Sequence, residues 1–270
     1  MNITKTQFDT GNGRIINLET GRMARQAHGS CVLTVGKTML LATVVSSYDA
    51  KEGIDFLPLS VDYQEKFAAV GRIPGSFLRR EARLSDYEIL ICRLVDRCLR
   101  PLFPEDYHAD TQVMITLLSS DENEIPDTYV GLAASTALML SDIPFNGPIS
   151  EVRVGRIDGK FVINPTREEL AKSDIDLLLG GTAKDLNMVE GEMNELSEDE
   201  FLEALKFGHA AIQAQCAEQW NMVEQMGGKK PVREYNHEDN DEALRERVIA
   251  ETSAAIREVA ESGKSKKERS

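Results

Sequence analysis

Residues 71–104 read GRIPGSFLRREARLSDYEILICRLVDRCLRPLFP, an arginine-rich loop running straight into a capped helix. Ser85 with Glu88 three residues on makes a capping box, in which each side chain satisfies a backbone N–H that the first helical turn leaves open. Leu90, Ile91, Leu94, Val95, Cys98 and Leu102 recur at helical spacing and predict the buried stripe. Pro101 and Pro104 stop the helix near Leu102. Before it, Gly71 and Gly75 loosen a loop over 71–82.

On either side of this segment the pattern changes to strands. Residues 14–19 alternate, and 30–35 and 38–45 flank Gly36-Lys37, a two-residue hairpin turn. The run MLLATVV within the second of these predicts a strand buried on both faces. Residues 56–64 and 112–118 read as further strands. An alanine-rich helix over 128–140 follows Pro126. Its small residues Gly131, Ala133, Ala134 and Ala137 predict close packing against a sheet. Residues 144–148 connect to a hairpin, 151–157 and 160–164, across Asp158-Gly159. A short helix over 167–172, strands over 176–180 and 187–192, and a long helix opened by Ser197 and Glu200 and closing near Met226 come next. Gly227-Gly228-Lys229-Lys230-Pro231 breaks that helix. A charged helical stretch covers about 241–262, and the ending GKSKKERS reads as cut rather than finished. The order of elements predicts α+β with a mixed sheet rather than a βαβ repeat.

Charge supplies the first functional argument. Residues 71–104 hold seven arginines against four carboxylates, a net +3, in a chain of net −14. A basic island in an acidic chain suits a phosphate-bearing partner met at one place and argues against nonspecific coating of nucleic acid. No apolar run is long enough to span a bilayer, and MNITKTQFDT has neither the apolar core nor the cleavage site of a signal peptide. Cys31, Cys92, Cys98 and Cys216 form no CxxC pair, which fits reduced thiols in a cytoplasm. His28, His108, His209 and His237 have no ligand spacing, and no P-loop or GxGxxG is present.

Within the loop, Phe77-Leu78 beside Arg79-Arg80 suits single-stranded nucleic acid, with the ring against a base and the guanidiniums on phosphates. The alternative is a surface loop whose arginines pair with carboxylates such as Glu81. Arg93, Arg97 and Arg100 fall on one helix face, where they extend the phosphate track or pair with Asp86, Glu88 or Asp96. Asp174 and Asp176, at i and i+2 on a strand rim, share a face on which a magnesium ion could sit, although strand-rim aspartates are common without one. The acidic run 185–203 reads as a solvated face and a helix start.

GRIPGSFLRREARLSDYE, RLVDRCLRPLFP, IPFNGPISEVRVG and TGRMARQAHGSCVLTVGKTMLLATVV together resemble the bacterial polynucleotide phosphorylase family over essentially the whole chain. The resemblance implies the first of two RNase PH-like cores. Its first lobe, 1–145, carries a β-α-β-α unit of the ribosomal S5 domain 2-like kind. A second α/β lobe covers 146–228, and the start of an all-helical linker domain covers 229–270. The implied activity is reversible 3′-to-5′ phosphorolysis of RNA to nucleoside diphosphates in mRNA degradation. Inorganic phosphate is the co-substrate, with Mg2+ bound by the second core. Single-stranded RNA, a homotrimeric ring and RNA-degradation complex partners, in the cytoplasm and away from membranes, complete the implied setting.

The family's catalytic motif places an aspartate six residues before an Asp-x-Lys triplet. Aligned on the glycine-terminated strand, Asp176 falls on the triplet aspartate, Leu178 on the lysine and Leu170 on the upstream aspartate. Where related single-domain enzymes carry a phosphate-binding Ser-Gly-Arg, this chain has Ser85-Asp86-Tyr87. The resemblance therefore implies a noncatalytic core with no catalytic and no metal residues of its own. Its RNA contacts are Phe77, Leu78, Arg79, Arg80 and Arg83, and Arg93, Arg97 and Arg100 are further phosphate contacts. Two alternatives remain: an RNA-binding and assembly module only, or a core that transfers pyrophosphate to guanosine nucleotides through Asp174, Asp176 and the arginine loop.

Overall fold

The computed structural model describes residues 3–10, 13–75, 81, 83–236 and 241–269. Its contacts divide the chain into Met1–Asn236 and His237–Ser270. In the first unit the strands are β1 (Thr4–Asp9), β2 (Ile15–Thr20), β3 (Gly29–Val35), β4 (Thr38–Ser46), β5 (Leu59–Glu65), β6 (Thr111–Ser119), β7 (Ser150–Ile157), β8 (Lys160–Ile163), β9 (Ile175–Gly181) and β10 (Leu186–Met193). The helices are α1 (Asp86–Leu99), α2 (Val130–Met139), α3 (Arg167–Leu170) and α4 (Glu198–Gln225). One sheet has the order β1-β2-β3-β4-β6-β5, antiparallel except for the β5–β6 pair. The other, β10-β9-β7-β8, is antiparallel throughout. This is the mixed α+β architecture expected.

The layers follow from side-chain alternation. On β9, Ile175, Leu177 and Leu179 join Val152 and Val154 of β7 in a core with Ala204, Ile212 and Cys216 of α4. The intervening Leu178 belongs instead to the larger core that includes Ile91, Val95 and Cys98 of α1 and all the large apolar residues of α2. A two-residue period thus seats the second sheet between α4 on one face and α1 and α2 on the other. Every residue of α2 is buried, which its small side chains allow. Gly131 is one close approach: a Cβ there would lie 2.4 Å from the Glu151 carboxylate, whose Oε2 accepts the Gly131 N–H at 3.1 Å.

One strand was not read in the sequence, and three expectations change. β1 has one large apolar residue, Phe8, and only half-buries alternate positions, so its pattern is too weak to read. The MLLATVV strand is buried on one face only; Met39, Leu41 and Thr43 are half-covered and Val45 is exposed. On α1, Leu90 is 59% exposed and lies off the buried stripe, which instead runs through Glu88, Ile91, Cys92, Val95, Cys98 and Leu99. That helix ends at Leu99 and tightens into a 3-10 turn, Arg100–Leu102, around Pro101.

The expected start of a separate helical segment at 229 meets a different division, after Asn236. Residues that follow α4 are held on the first unit. Arg233, with only 3% of its side chain exposed, pairs with Asp142 at 2.6 Å, donates to the Ser46 carbonyl and lies 4.7 Å over the Tyr48 ring. Lys229 donates to the Phe145 carbonyl, and the Tyr235 hydroxyl donates to Asp106. In the second unit, α5 (Glu242–Glu261) is capped by Asp241, and its Leu244, Val248, Ile249 and Ile256 are all exposed. Among the described residues, no helix is long and apolar enough to cross a membrane.

Candidate nucleic-acid interface

The arginine loop leaves the first sheet at a 3-10 turn, Phe67–Val70, closed by Gly71 at φ +68°, a conformation glycine adopts without a Cβ clash. It returns at Ser85, whose side chain accepts the Glu88 N–H at 3.3 Å while Glu88 Oε2 accepts the Ser85 N–H at 2.7 Å. The expected capping box is therefore formed. Phe67 N–H donates to Glu81 Oε1 at 2.9 Å, which ties the returning end to the outgoing one. Phe77, Leu78, Arg79 and Arg80 lie outside the described residues. Arg83 is exposed, and no ion pair holds it among the described residues.

The helix arginines share a groove of about 490 Å³ with Ser60 and Val61 of β5 and with Asp96. They differ in what they do there. Arg100 is chelated by Asp96 and donates to the carbonyls of Leu57 and Leu59 at 2.9 and 3.2 Å. Arg97 pairs with Glu190 at 2.6 Å, both side chains half-exposed. Arg93 is exposed with no ion pair among the described residues.

Arg100 has a second task that sequence reading missed. β5 is an edge strand, and its outer backbone groups need partners. Glu88 Oε1 accepts the Glu65 N–H at 2.8 Å and Cys92 Sγ accepts the Tyr63 N–H at 3.1 Å. With Arg100 on the carbonyls at the other end, three residues spaced by multiples of four put one ridge of α1 along the strand edge. The i, i+4 spacing was visible, but an unsatisfied strand edge beside it was not.

The two aspartates line one cleft of about 520 Å³, yet each is claimed by an arginine from β7. Arg156 holds Asp174 through Nε and a terminal nitrogen and reaches Glu200 at 2.7 Å. These hydrogen bonds keep Asp174 below its ordinary carboxylate range. Glu200 falls to about 2, chiefly because it accepts the Ser197 backbone N–H and secondly through Arg156. Arg153 bridges Asp176 and the buried Asp127. Burial pushes Asp127 upward despite that guanidinium. Leu178 is buried against α1 and α2, and Leu170 lines the cleft as an apolar wall.

Such a donor set does not fit a magnesium ion, because both carboxylates are already neutralised and the positions beside them carry leucines. Ser85-Asp86-Tyr87 forms the cap and first turn of α1, and burial beside Asp127 raises the Tyr87 hydroxyl. No cation stands in that triplet to meet phosphate. Arg153 and Arg156 were legible only as part of the EVRVGRI strand. Their i, i+3 spacing sends them to opposite faces, which a strand pattern predicts without naming the partners.

Comparison with known proteins places the chain. The model of the 3′ exoribonuclease family, domain 1, matches residues 12–144, and that of domain 2 of the same family matches 147–211. Polyribonucleotide nucleotidyltransferase of Porphyromonas gingivalis is 54% identical over 269 residues, covering 100% of this chain and 36% of that protein. Its counterpart in Bacteroides fragilis is 59% identical over 246 residues, covering 91% and 34% respectively. That of Azobacteroides pseudotrichonymphae is 55% identical over 267 residues, covering 99% and 37%. The chain thus spans little more than a third of the length of these relatives. Its core of two RNase PH-like domains, matched in order by both family models, belongs to the 3′ exoribonuclease family.

Proposed function

We propose that this chain is the RNA-gripping, noncatalytic core of a polyribonucleotide nucleotidyltransferase that shortens RNA from the 3′ end by phosphorolysis. The observation that carries the reading is the state of the Asp176 site. A phosphorolytic centre needs cations to neutralise the attacking phosphate and free carboxylates to hold magnesium. Here Asp176 is bound by Arg153, and Leu178 is buried in the core. Catalysis and Mg2+ binding would then come from a second core, with inorganic phosphate as the attacking co-substrate.

This chain's contribution is positional. Arg79, Arg80 and Arg83 hold backbone phosphates, with Phe77 and Leu78 forming an apolar constriction. Arg93 adds a guanidinium held in no ion pair among the described residues, and Arg97 becomes available by exchanging Glu190 for phosphate. Arg100 serves first as the cover of the β5 edge. The setting proposed is a homotrimeric ring in the cytoplasm that threads single-stranded RNA and docks to other RNA-degrading proteins.

The test is incubation of the chain with poly(A), inorganic phosphate and magnesium, with released ADP measured. The reading predicts no phosphate-dependent ADP. Its appearance at a rate that Asp176→Asn abolishes would contradict it.

A further inference from the structure

A cleft of about 390 Å³ opens at the foot of α1, between the Phe67–Val70 turn and α3. Three carboxylates on its walls are already committed to the protein. Glu88 accepts the N–H groups of Ser85 and Glu65, Glu81 accepts that of Phe67, and Glu65 accepts the Tyr63 hydroxyl at 2.8 Å. Three cations on the same walls, Lys66, Arg83 and Arg167, are in no ion pair among the described residues. Hydrogen bonds from neutral donors leave the three carboxylates charged, so the walls balance three cations against three anions, with Arg167 acting on Glu65 through space. Lys66, Arg83 and Arg167, being in no ion pair among the described residues, are the groups placed to meet an incoming phosphate.

The remaining wall is apolar. Phe67 is half-buried, Val70 is exposed, and Pro126, itself buried, lines the cleft beside them. A flat apolar body carrying phosphate is a nucleotide, and the volume lies within the roughly 300–1,000 Å³ usual for small-molecule sites. Arg83 is also one of the residues assigned above to the RNA strand, so the cleft shares a residue with that grip.

We propose that this cleft binds one nucleotide, with its base against Phe67, Val70 and Pro126 and its phosphate between Arg83 and Arg167. The inference rests on the RNA-gripping reading for its setting, but not for its chemistry. The nucleotide is either a unit of a gripped strand or a free nucleoside diphosphate. Arg167 is the deciding residue, because it was not among the arginines legible in sequence. It sits on the four-residue helix α3, far along the chain from the arginine loop.

The test titrates the full chain with ADP by calorimetry and with a 3′-labelled single-stranded RNA by fluorescence anisotropy. Arg167→Gln, Arg167→Lys and Arg79→Ala/Arg80→Ala are compared with the unsubstituted chain, and thermal melts check folding. Arg167→Gln should weaken whichever probe occupies the cleft about tenfold, as expected for a lost charge-assisted bidentate contact. Arg167→Lys should retain part of that. Loss for ADP alone identifies a free nucleotide, and loss for RNA alone a unit of the strand; either supports the cleft. Unchanged affinity of Arg167→Gln for both probes overturns it, as does failure of both probes to bind the unsubstituted chain. If Arg79→Ala/Arg80→Ala abolishes RNA binding while Arg167→Gln does not touch either probe, the cleft fails and the RNA grip stands. If ADP binds through Arg167 while RNA does not bind at all, the grip fails and the cleft stands.

Discussion

Glu151 shows how a single buried acid sets a pH response. It is fully enclosed between β7 and α2, with one oxygen on the Gly131 N–H and Cys98 as its other neighbour. Burial, opposed by the Cys98 and Gly131 hydrogen bonds, raises it to about 7. An unfolded glutamate titrates near 4.3, so between roughly pH 4.3 and 7 the folded state holds a proton that the unfolded state has released. Stability from this group is therefore complete below the lower value and is lost as pH rises through the upper one, with a slope of at most about 1.4 kcal/mol per pH unit. Urea unfolding from pH 5 to 8 should show Glu151→Gln with a flatter profile than the unsubstituted chain and relatively greater stability at pH 8. Parallel profiles would place the titration elsewhere. No feature of EVRVGRI distinguishes this acid from an exposed strand glutamate; only the approach of Gly131 does. The same limit applies to Asp176, whose place in a DxD was legible while its capture by Arg153 was not.

At the scale of elements, α1 joins two structures through one side chain. Glu88 closes the capping box with one oxygen and satisfies the β5 edge with the other. Ser85→Ala should cost about 1 kcal/mol, the usual loss of an N-cap. Glu88→Ala should cost more, about 2–3 kcal/mol, because it also strands the Glu65 N–H. The double substitution should cost less than the sum, since both remove the Ser85–Glu88 bonds. Denaturant midpoints of the three variants test this, and strict additivity would show that the two roles are independent. The helix itself was readable from its cap, stripe and prolines because these are local signals. The hairpins were readable from Gly36-Lys37 and Asp158-Gly159 for the same reason. β1 and the true facing of Leu90 were not, since both depend on partners distant in sequence: β1 on pairing with β2, and Leu90 on which side of α1 the second sheet approaches.

At the scale of the whole molecule, the segment after α4 belongs to the core by its bonds. A chain ended after residue 236 should melt like the full chain, while one ended after 228 should lose about 2 kcal/mol with the Arg233 contacts to Asp142 and Ser46. Equal melting of all three would show that the segment contributes nothing. The acidic surround and the arginine island make a larger claim, that the molecule grips RNA at one place by phosphate charge. Because charge is the means, affinity must fall steeply with salt, by a slope proportional to the phosphates neutralised. The most direct measurement is the anisotropy of a 3′-labelled single-stranded RNA from about 50 to 200 mM salt, for the chain and for Arg79→Ala/Arg80→Ala. The account predicts salt-sensitive binding that the double substitution removes or makes nearly salt-independent, with no shortening of the RNA when phosphate and magnesium are added. Equal affinity and equal salt slope in both proteins would contradict it.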